Sequence, residues 1–520
     1  MQPFFDRFKN SIIGVLTGFD RIVFKGMFRP LVYVDGVLSF LNRTNVTNKG
    51  YKDWMLTHTQ ELVRSIESYA AKQDQKIIHL NSWRDRKEKL AHEHQKKHGI
   101  ENGLIGIWSC LETGKSYRAY YDPGAGKPCL RHYQVPCKHV YFYFDHQDYG
   151  FMNVRLQSWF PYHIQIAMNG REWLRRALEK AGIEFLCKGN KFLHVDDYTR
   201  AQEILNQQLD QRWNPVLNAF LPTVFPTMNQ TVGPGMAYYW TLWQSEWATD
   251  FLFRTPKELE PIMHRLCQHA FLSGTSERIL NYMGHPLRKS GKPNSRFRQD
   301  VISRISGFHE GTRVRHWVGP NSVKVYNEHN VLRVETTVND PGAFKVRRHA
   351  AGEAATAEKK LRPLRKGIVD IPLRAKVSQD VNNRFLAHLA EVNDQEPIGT
   401  LLENVTRRCK KNARNVRALD LLGKDYQFLK CLADPSVEIN GISNKELRAK
   451  LKDKSWGNGK TDKQLSAKVS RHFRLLRDHG LLRKQPGQHR YNLTQQGRKL
   501  ILALTAIPAC SIEKLIEIAA

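Results

Sequence analysis

The chain has 520 residues, enough for about two to four domains of ordinary size. It is 41% hydrophobic and 25% charged, which is typical of a globular protein that buries a core. The sequence contains no P-loop, no dinucleotide-binding fingerprint and no G-x-S-x-G elbow, so nucleotide hydrolysis and serine esterase chemistry have no support.

The balance of charge is strongly positive, with 81 Lys and Arg against 50 Asp and Glu, a formal net charge of +31. Such an excess favours a polyanionic partner, nucleic acid first and an anionic membrane surface second. No stretch predicts a membrane span or a secretory signal, and the 8 cysteines are scattered, as is typical of a reducing cytoplasm. We therefore expect a cytoplasmic protein that binds nucleic acid, DNA rather than RNA, and no membrane.

Residues 1–212 predict an α+β domain. The pattern is strand-like over residues 13–28 with a polar break at 18–21, helical over 53–99, and rich in strands over 103–168. Asn169 and Gly182 are expected to begin and end a helix, a hairpin follows at 184–195, and a second helix at 198–209.

This first domain offers three sets of polar candidates. Arg171, Arg175 and Arg176, on the polar side of the helix after Asn169, are expected to contact nucleic acid together with nearby aromatic residues. Asp20 stands at the strand break, as does the first carboxylate of many RNase H-like nucleases. Zinc ligand types occur at a spacing that fits no standard zinc module, with a structural hairpin as the alternative: Cys110, Cys129, His132, Cys137 and His139.

Residues 236–345 predict a second α+β domain with a candidate carboxylate site. Glu246 and Asp250 lie four apart on a predicted strand over residues 239–253, and this spacing places both side chains on one face. Converging carboxylates bind Mg²⁺ or Mn²⁺ for phosphoryl transfer. The alternative is an ordinary solvated strand face.

A hairpin is expected over residues 323–335, with its turn at Glu328 and His329. This register places Lys324 opposite Arg333. Since like charges so placed repel, an anion is expected between them, either Glu335 or a nucleic-acid phosphate. A structural hairpin with an Arg333–Glu335 ion pair is the alternative.

The same segment, KVYNEHNVLRVE, resembles a segment of phage and plasmid rolling-circle replication initiators, in which a K-x-Y-(D/N) strand precedes L-R-x-E. In that family a carboxylate helps to bind the catalytic metal, and a tyrosine attacks DNA. The resemblance implies that Glu335 is the metal carboxylate, that Tyr326 matches the motif tyrosine and that Lys324 belongs to the site. The family's His-hydrophobe-His motif is missing from this sequence.

Residues 346–423 predict a basic linker and a helical bridge over 380–392, and residues 424–505 predict a compact C-terminal domain. Ser443 and Glu446 form a capping box, and an apolar stripe of Leu465, Val469, Phe473 and Leu476 predicts a third helix. A hairpin turning at Pro486 and Gly487 follows, and then a last helix.

This element order, and the phrase LLRDHGLLRKQPGQHRYNLTQQGRKL, resemble the winged-helix domains of MarR- and ArsR-like regulators. In such domains the third helix enters the major groove and the hairpin lies on the DNA backbone. The resemblance implies nucleic-acid contacts from the third helix and the hairpin: Lys463, Gln464, Lys468, Ser470, Arg471, Arg474, Arg483, Lys484, His489 and Arg490. Protein contacts, or a solvated basic face, are the alternative.

Two functions follow from these patterns. The first is a DNA-processing protein of a mobile element, whether a nickase, a replication initiator or a transposase-like protein, with metal-assisted attack on a phosphodiester. The second is a non-catalytic binder, either a winged-helix transcriptional regulator or an RNA-binding protein of a ribonucleoprotein. The large body in front of residue 424 favours the first.

Overall fold

The fold is taken from a computed structural model, which describes residues 1–82, 84–124, 126–285, 297–308, 311–350, 352–354, 356–390, 398–411, 414–433, 437, 441–485 and 489–506. The chain divides into two compact units, Met1–Ala390 (unit 1) and Glu391–Ala520 (unit 2). Both helices and sheets are present, so the predicted α+β class is confirmed.

The described strands of unit 1 are β1 (Ile12–Phe28), β2 (Ile77–Leu80), β3 (Gly103–Asp122), β4 (Lys127–His146), β5 (Gly150–Gln157), β6 (Ile164–Asn169), β7 (Phe185–Lys188), β8 (Lys191–Val195), β9 (Tyr238–Phe253), β10 (Val301–Phe308), β11 (Gly311–Val318), β12 (Asn321–Glu328), β13 (Val331–Val338), β14 (Lys345–Arg348) and β15 (Lys360–Pro363). Its described helices are α1 (Gln2–Phe8), α2 (Val34–Arg43), α3 (Tyr51–Lys72), α4 (Lys87–His98), α5 (Gly170–Ala181), α6 (Tyr198–Asp210), α7 (Trp213–Asn218), α8 (Leu221–Val224), α9 (Met228–Val232), α10 (Pro256–Leu272), α11 (Ser276–Tyr282) and α12 (Ile371–Ala390).

One 11-stranded sheet organises unit 1, in the order β10-β11-β12-β13-β9-β1-β6-β5-β4-β3-β2. Every pairing is antiparallel except that of β2 with β3. The predicted boundary between residues 212 and 236 therefore does not separate two sheets. β9 lies beside β1 in the middle of the sheet, because these two long strands pair over most of their length.

The predicted ends of helix α5 are confirmed, because capping residues define them. The Asn169 side chain accepts hydrogen bonds from the backbone of Arg171 and Glu172, and α5 ends at Gly182 in the left-handed conformation, as predicted. The predicted hairpin at 184–195 is β7 and β8. The expected helix over 53–99 is instead α3 and α4 with the short strand β2 between them.

The segment after residue 345 differs from the predicted linker and bridge. β14 and β15 form a two-stranded sheet. Helix α12 belongs to unit 1 and packs against β9 and β13 of the sheet. Its Asn382 side chain donates to the backbone oxygens of Trp247 and Val334 and accepts from Thr336. Its fully buried amide needs these partners, which lie far away in the sequence.

The register of the β12–β13 hairpin also differs from the prediction. Its turn lies at His329 and Asn330, so Lys324 pairs with Glu335 rather than with Arg333. His329 has a positive φ of 51°, and the Asn330 side chain donates to the backbone oxygens of Leu193 and Phe253. These long-range bonds fix the turn, and no local pattern in the hairpin reveals them.

Unit 2 has helices α13 (Ile398–Thr406), α14 (Tyr426–Leu432), α15 (Asn444–Leu451), α16 (Asp462–Asp478) and α17 (Gln495–Ala506), and strands β16 (Cys409–Lys411), β17 (Arg414–Val416), β18 (Ile442–Ser443), β19 (Leu482–Lys484) and β20 (Arg490–Leu493). The predicted capping box of Ser443 and Glu446 is present, and the predicted stripe on α16 is buried. β18, β20 and β19 form a small sheet. The turn predicted at Pro486 and Gly487 lies outside the described residues.

Among the described residues, no helix combines the length and the apolar composition needed to cross a bilayer.

A buried aspartate joins two helices of unit 2. Asp425, at the start of α14, accepts from both terminal nitrogens of Arg417 at 2.7 and 2.8 Å and from His472 of α16 at 3.0 Å. These donors hold the pKa of Asp425 well below its usual range. The carboxylate therefore stabilises unit 2 above the ordinary aspartate pKa, and this stabilisation is lost as the pH falls toward the lowered value.

Asp425→Asn is expected to destabilise unit 2 by about 1.5–3 kcal/mol at neutral pH, the usual contribution of hydrogen bonds to a charged group. Differential scanning calorimetry of the full chain measures this. Asp453→Asn, at an exposed position of the same unit, is the matched control. Equal melting of the two variants would show that the Asp425 network contributes nothing.

Candidate metal centre and groove

Three carboxylates converge on one face of the central sheet. Asp20 of β1, Glu246 of β9 and Glu335 of β13 each offer one oxygen, and these oxygens lie within 4.8 Å of one another. We call these three residues the carboxylate cluster. Among the described residues it is the only group of His, Cys, Asp and Glu side chains placed to hold a metal ion.

A β-bulge brings Asp20 into the cluster. Phe19 pairs with Trp247 and Ile22 with Ser245, so β1 places two residues, Asp20 and Arg21, opposite Glu246 alone. Such a bulge re-aims side chains and is common beside active sites. The polar break predicted in this strand is therefore the bulge.

The other two carboxylates follow from strand pairing. Glu335 pairs with Ala248, which lies two residues from Glu246 on the same strand. Directly opposite residues share a face and diagonal neighbours lie within reach, so Glu246 and Glu335 meet. The predicted metal carboxylates Glu246 and Glu335 are thus brought together by the structure.

Asp250 is not in the cluster, although the sequence grouped it with Glu246. Its carboxylate binds Arg333 through two hydrogen bonds of 2.6 and 2.9 Å and lies 3.1 Å from Arg171. All three residues are about 1% exposed. Asp250 is therefore a counter-charge shared by two buried guanidinium groups, which hold its pKa below the usual range despite burial.

The predicted nucleic-acid contacts of Arg171 and Arg333 are wrong for the same reason. Both side chains are buried within the sheet and its covering helix, and Arg333 also donates to Asp20 at 3.1 Å. Neither has surface on which a phosphate could lie. Arg175 pairs with Glu172 and Glu179, and Arg176 with Asp145, so both are already neutralised within unit 1.

Charge crowding is strongest at Glu246. Burial and the nearby Glu335 and Asp20 raise the pKa of Glu246 to about 7. Lys324 lies 2.6 Å from Glu335 and is its closest counter-charge. Excess carboxylate charge of this kind is what a divalent cation relieves, and all-oxygen ligands suit Mg²⁺ or Mn²⁺.

Tyr326 contacts the cluster through a hydrogen bond that its hydroxyl donates to Glu335 at 3.0 Å. Burial and the Glu335 charge raise the pKa of Tyr326 well above its usual value. Tyr326 and Lys324 therefore position Glu335.

A groove runs from the cluster across the sheet. Its floor is made by β1, β4, β5 and β6, α4 forms one side, and the start of α5 with the β7–β8 turn forms the other. Glu246 is the partly exposed member of the cluster and lines the groove with Arg21. Arg155 of β5 lines the groove further along.

The cysteines and histidines proposed as zinc ligands do not converge as a set, although the Cys137 thiol lies 4.0 Å from Nδ1 of His139. Cys129, His132, Cys137 and His139 are spread along β4, where ten residues span roughly 33 Å. Cys110 lies opposite His139 on β3, and its thiol donates to Glu112. These residues belong to the β3–β4 hairpin, as the alternative interpretation predicted.

Most of the residues predicted to contact nucleic acid in unit 2 lie at its surface. Five of them are exposed on α16, namely Lys463, Gln464, Ser470, Arg471 and Arg474. Three more are exposed on the hairpin, namely Arg483, Lys484 and His489. Lys468 instead donates to the Trp456 backbone at 2.8 Å and lies over its ring, and Arg490 pairs with Glu446. Gln464 is engaged in a second capping box with Thr461.

Compared with models of known protein families, with curated proteins and with solved structures, the chain gives no match in any of the three comparisons.

Substitutions of Glu246, a member of the carboxylate cluster, and of Asp250, a structural carboxylate, are expected to change the stability of the protein in opposite directions. Glu246→Gln removes repulsion, so it is expected to raise the melting temperature of metal-free protein at pH 8. Glu246 keeps its proton up to about pH 7 in the folded state but only to about pH 4.5 in the unfolded state. The free energy of unfolding of the wild type therefore decreases as the pH rises from about 4.5 to 7. Below about pH 4.5 the variant is expected to have no stability advantage. Calorimetry across this pH range measures both effects.

Asp250→Asn is the companion variant in the same experiment. It removes the carboxylate beside buried Arg171 and the bidentate partner of buried Arg333, which keeps Asp20, and it is expected to lower stability by about 3–5 kcal/mol. Asp148→Asn, which loses only a surface pair with Lys180, is expected to change stability by no more than about 1 kcal/mol. A destabilising Glu246→Gln or a stabilising Asp250→Asn would reverse the two assignments.

Proposed function

We propose that the protein is a metal-dependent enzyme that breaks or transfers phosphodiester bonds in nucleic acid, with DNA favoured over RNA. The observation that carries the proposal is the convergence of Asp20, Glu246 and Glu335 at the end of a groove. The net charge of +31 supports a polyanionic substrate.

The carboxylate cluster would hold Mg²⁺ or Mn²⁺, which supplies Lewis-acid stabilisation of a phosphoryl oxygen and lowers the pKa of a bound water. Asp20 is held by Asn190, whose side chain donates to it at 2.6 Å, and by Arg333. Lys324 and Tyr326 hold Glu335 from the other side. Rigid support of this kind keeps ligand oxygens in place before the metal arrives.

The Tyr326 hydroxyl is engaged in a hydrogen bond to Glu335, which favours water over tyrosine as the attacking group. This separates the proposal from the mechanism implied by the resemblance to rolling-circle initiators, in which a tyrosine becomes covalently bound to DNA. The assignment to a mobile element, as a nickase, initiator or transposase-like protein, stays part of the proposal.

Unit 2 is proposed to be a winged helix that binds duplex DNA. The order of α14, α15, α16, the β19–β20 hairpin and α17 supports this, and so does the exposed basic surface of α16. Arg471 and Arg474 lie one turn apart on that helix and suit contacts with base edges or phosphates. Unit 2 would choose the site, and unit 1 would carry out the reaction.

The enzyme proposal is tested with labelled single- and double-stranded DNA in the presence of Mn²⁺. Wild-type protein is expected to cleave DNA, and Glu335→Gln and Glu246→Gln to lose at least about 100-fold in rate, as removal of one charge-stabilising group typically does. Wild-type protein is expected to form no covalent protein–DNA product, which denaturing gels detect, and Tyr326→Phe, which loses only a hydrogen bond to Glu335, is expected to keep part of the cleavage rate. Stoichiometric binding without metal-dependent cleavage would support the non-catalytic binder instead.

The winged-helix proposal is tested by duplex binding of Arg471→Gln/Arg474→Gln. The double variant is expected to weaken binding and to lower the slope of log affinity against log salt by about 1.8 if both side chains contact phosphates. Lys9→Gln/Lys257→Gln, two exposed lysines of unit 1, removes the same charge as a control. Equal affinity and slope in the two double variants would remove α16 from the interface.

A further inference from the structure

A basic cavity lies on the same face of the sheet, beyond the groove. Its volume is about 190 Å³, far more than the roughly 10–15 Å³ needed to hold one water. It is lined by Lys25, Thr113, Gly114, Lys115, His139, Arg155, Gln157, His163, Ile164 and Gln165. None of these described lining residues is acidic.

The two lysines of this cavity lack a counter-charge within its lining. Among the described residues, neither Lys25 nor Lys115 has a carboxylate within salt-bridge distance. Burial, with the charges of Lys115, Arg155 and Lys366, lowers the pKa of Lys25. Arg155 pairs with Glu112, but that carboxylate lies outside the lining and is shared with Lys87.

The two histidines of the cavity do not add positive charge at neutral pH. Burial and nearby cations lower the pKa of His139 to about 4 and that of His163 to about 3. Both rings are therefore neutral near pH 7, and they supply polar nitrogen atoms beside the lysines. The cavity combines uncompensated ammonium groups with neutral hydrogen-bonding groups, which is the chemistry of an anion site.

The cavity is connected to the carboxylate cluster. It shares Arg155 and Gln165 with the groove, and the groove reaches Asp20 and Glu246. Lys25 lies four residues after Arg21 on β1, a separation of about 13 Å at 3.3 Å per residue. That length equals about four stacked nucleotide steps of 3.4 Å.

We propose that the basic cavity binds a backbone phosphate of a single nucleic-acid strand that lies along the groove, with the reacting phosphodiester at the carboxylate cluster. The second half of this statement rests on the proposed function, whereas the phosphate site itself does not. Lys25 and Lys115 neutralise the phosphate, and Gln165 and Arg155 line the path toward the cluster. Trp243, which is 40% exposed, lies beside Lys25, and the ammonium groups of Lys25 and Lys366 are 4.9 and 4.6 Å from the centre of its ring.

The proposal is tested by binding of a labelled short oligothymidylate to the full chain in EDTA, so that no metal-dependent reaction occurs. Anisotropy is measured at several salt concentrations for wild type, Lys25→Gln/Lys115→Gln and the control Lys9→Gln/Lys257→Gln. Losing one phosphate contact lowers the salt slope by about 0.7, which is about fivefold in affinity at about 0.1 M salt. Inorganic phosphate is expected to compete in wild type and not in the cavity variant.

Each outcome decides a separate point. If the cavity variant binds oligothymidylate like the control pair, the strand site is overturned, even when inorganic phosphate binding is lost. Lys115→Gln alone, at an exposed position, gives the same comparison if the double variant melts early. If wild type fails to cleave DNA with Mn²⁺ while the cavity variant still weakens binding, the proposed reaction fails and the phosphate site stands.

Discussion

The arrangement of unit 1 depends on one buried guanidinium. Arg333 of β13 binds Asp250 of β9 in a bidentate pair and also donates to Asp20 of β1. Its charge thus joins three adjacent strands at the point where the carboxylate cluster forms. Buried charges are tolerated only when they are paired and hydrogen-bonded, so this network fixes the relative register of all three strands. Arg171 adds helix α5 to the same network through Asp250.

The bulge in β1 has a second consequence beyond placing Asp20. Because one extra residue reverses the alternation of side chains, Arg21 and Lys25 come to lie on the groove side of the sheet after the bulge. Without it, the strand would present carboxylate and cations on opposite faces. A single irregularity therefore aligns the carboxylate cluster, the groove and the basic cavity on one surface.

The sequence predicted local structure well and long-range pairing poorly. Caps at Asn169, Gly182 and Ser443 act within a few residues, so their chemistry was visible. The spacing of Glu246 and Asp250 correctly predicted that both side chains lie on one face of the strand. It could not show that the Asp250 carboxylate is bound by Arg333. The hairpin register failed because Asn330 is anchored by Leu193 and Phe253, residues distant in sequence. Asp20 was noticed only as a residue at a strand break, since its partners come from two other strands.

The opposite charges of the two ends of the groove imply an order of assembly under the proposed function. Burial and the nearby Glu335 and Asp20 disfavour the charge of Glu246, so a phosphodiester would be repelled there until a divalent cation is bound. The basic cavity would attract phosphate without metal. A strand would therefore be held first at the cavity end, and it would settle against the cluster only when metal is bound. Anchoring and reaction are in this way separated along one surface, so that binding alone does not commit the strand to cleavage.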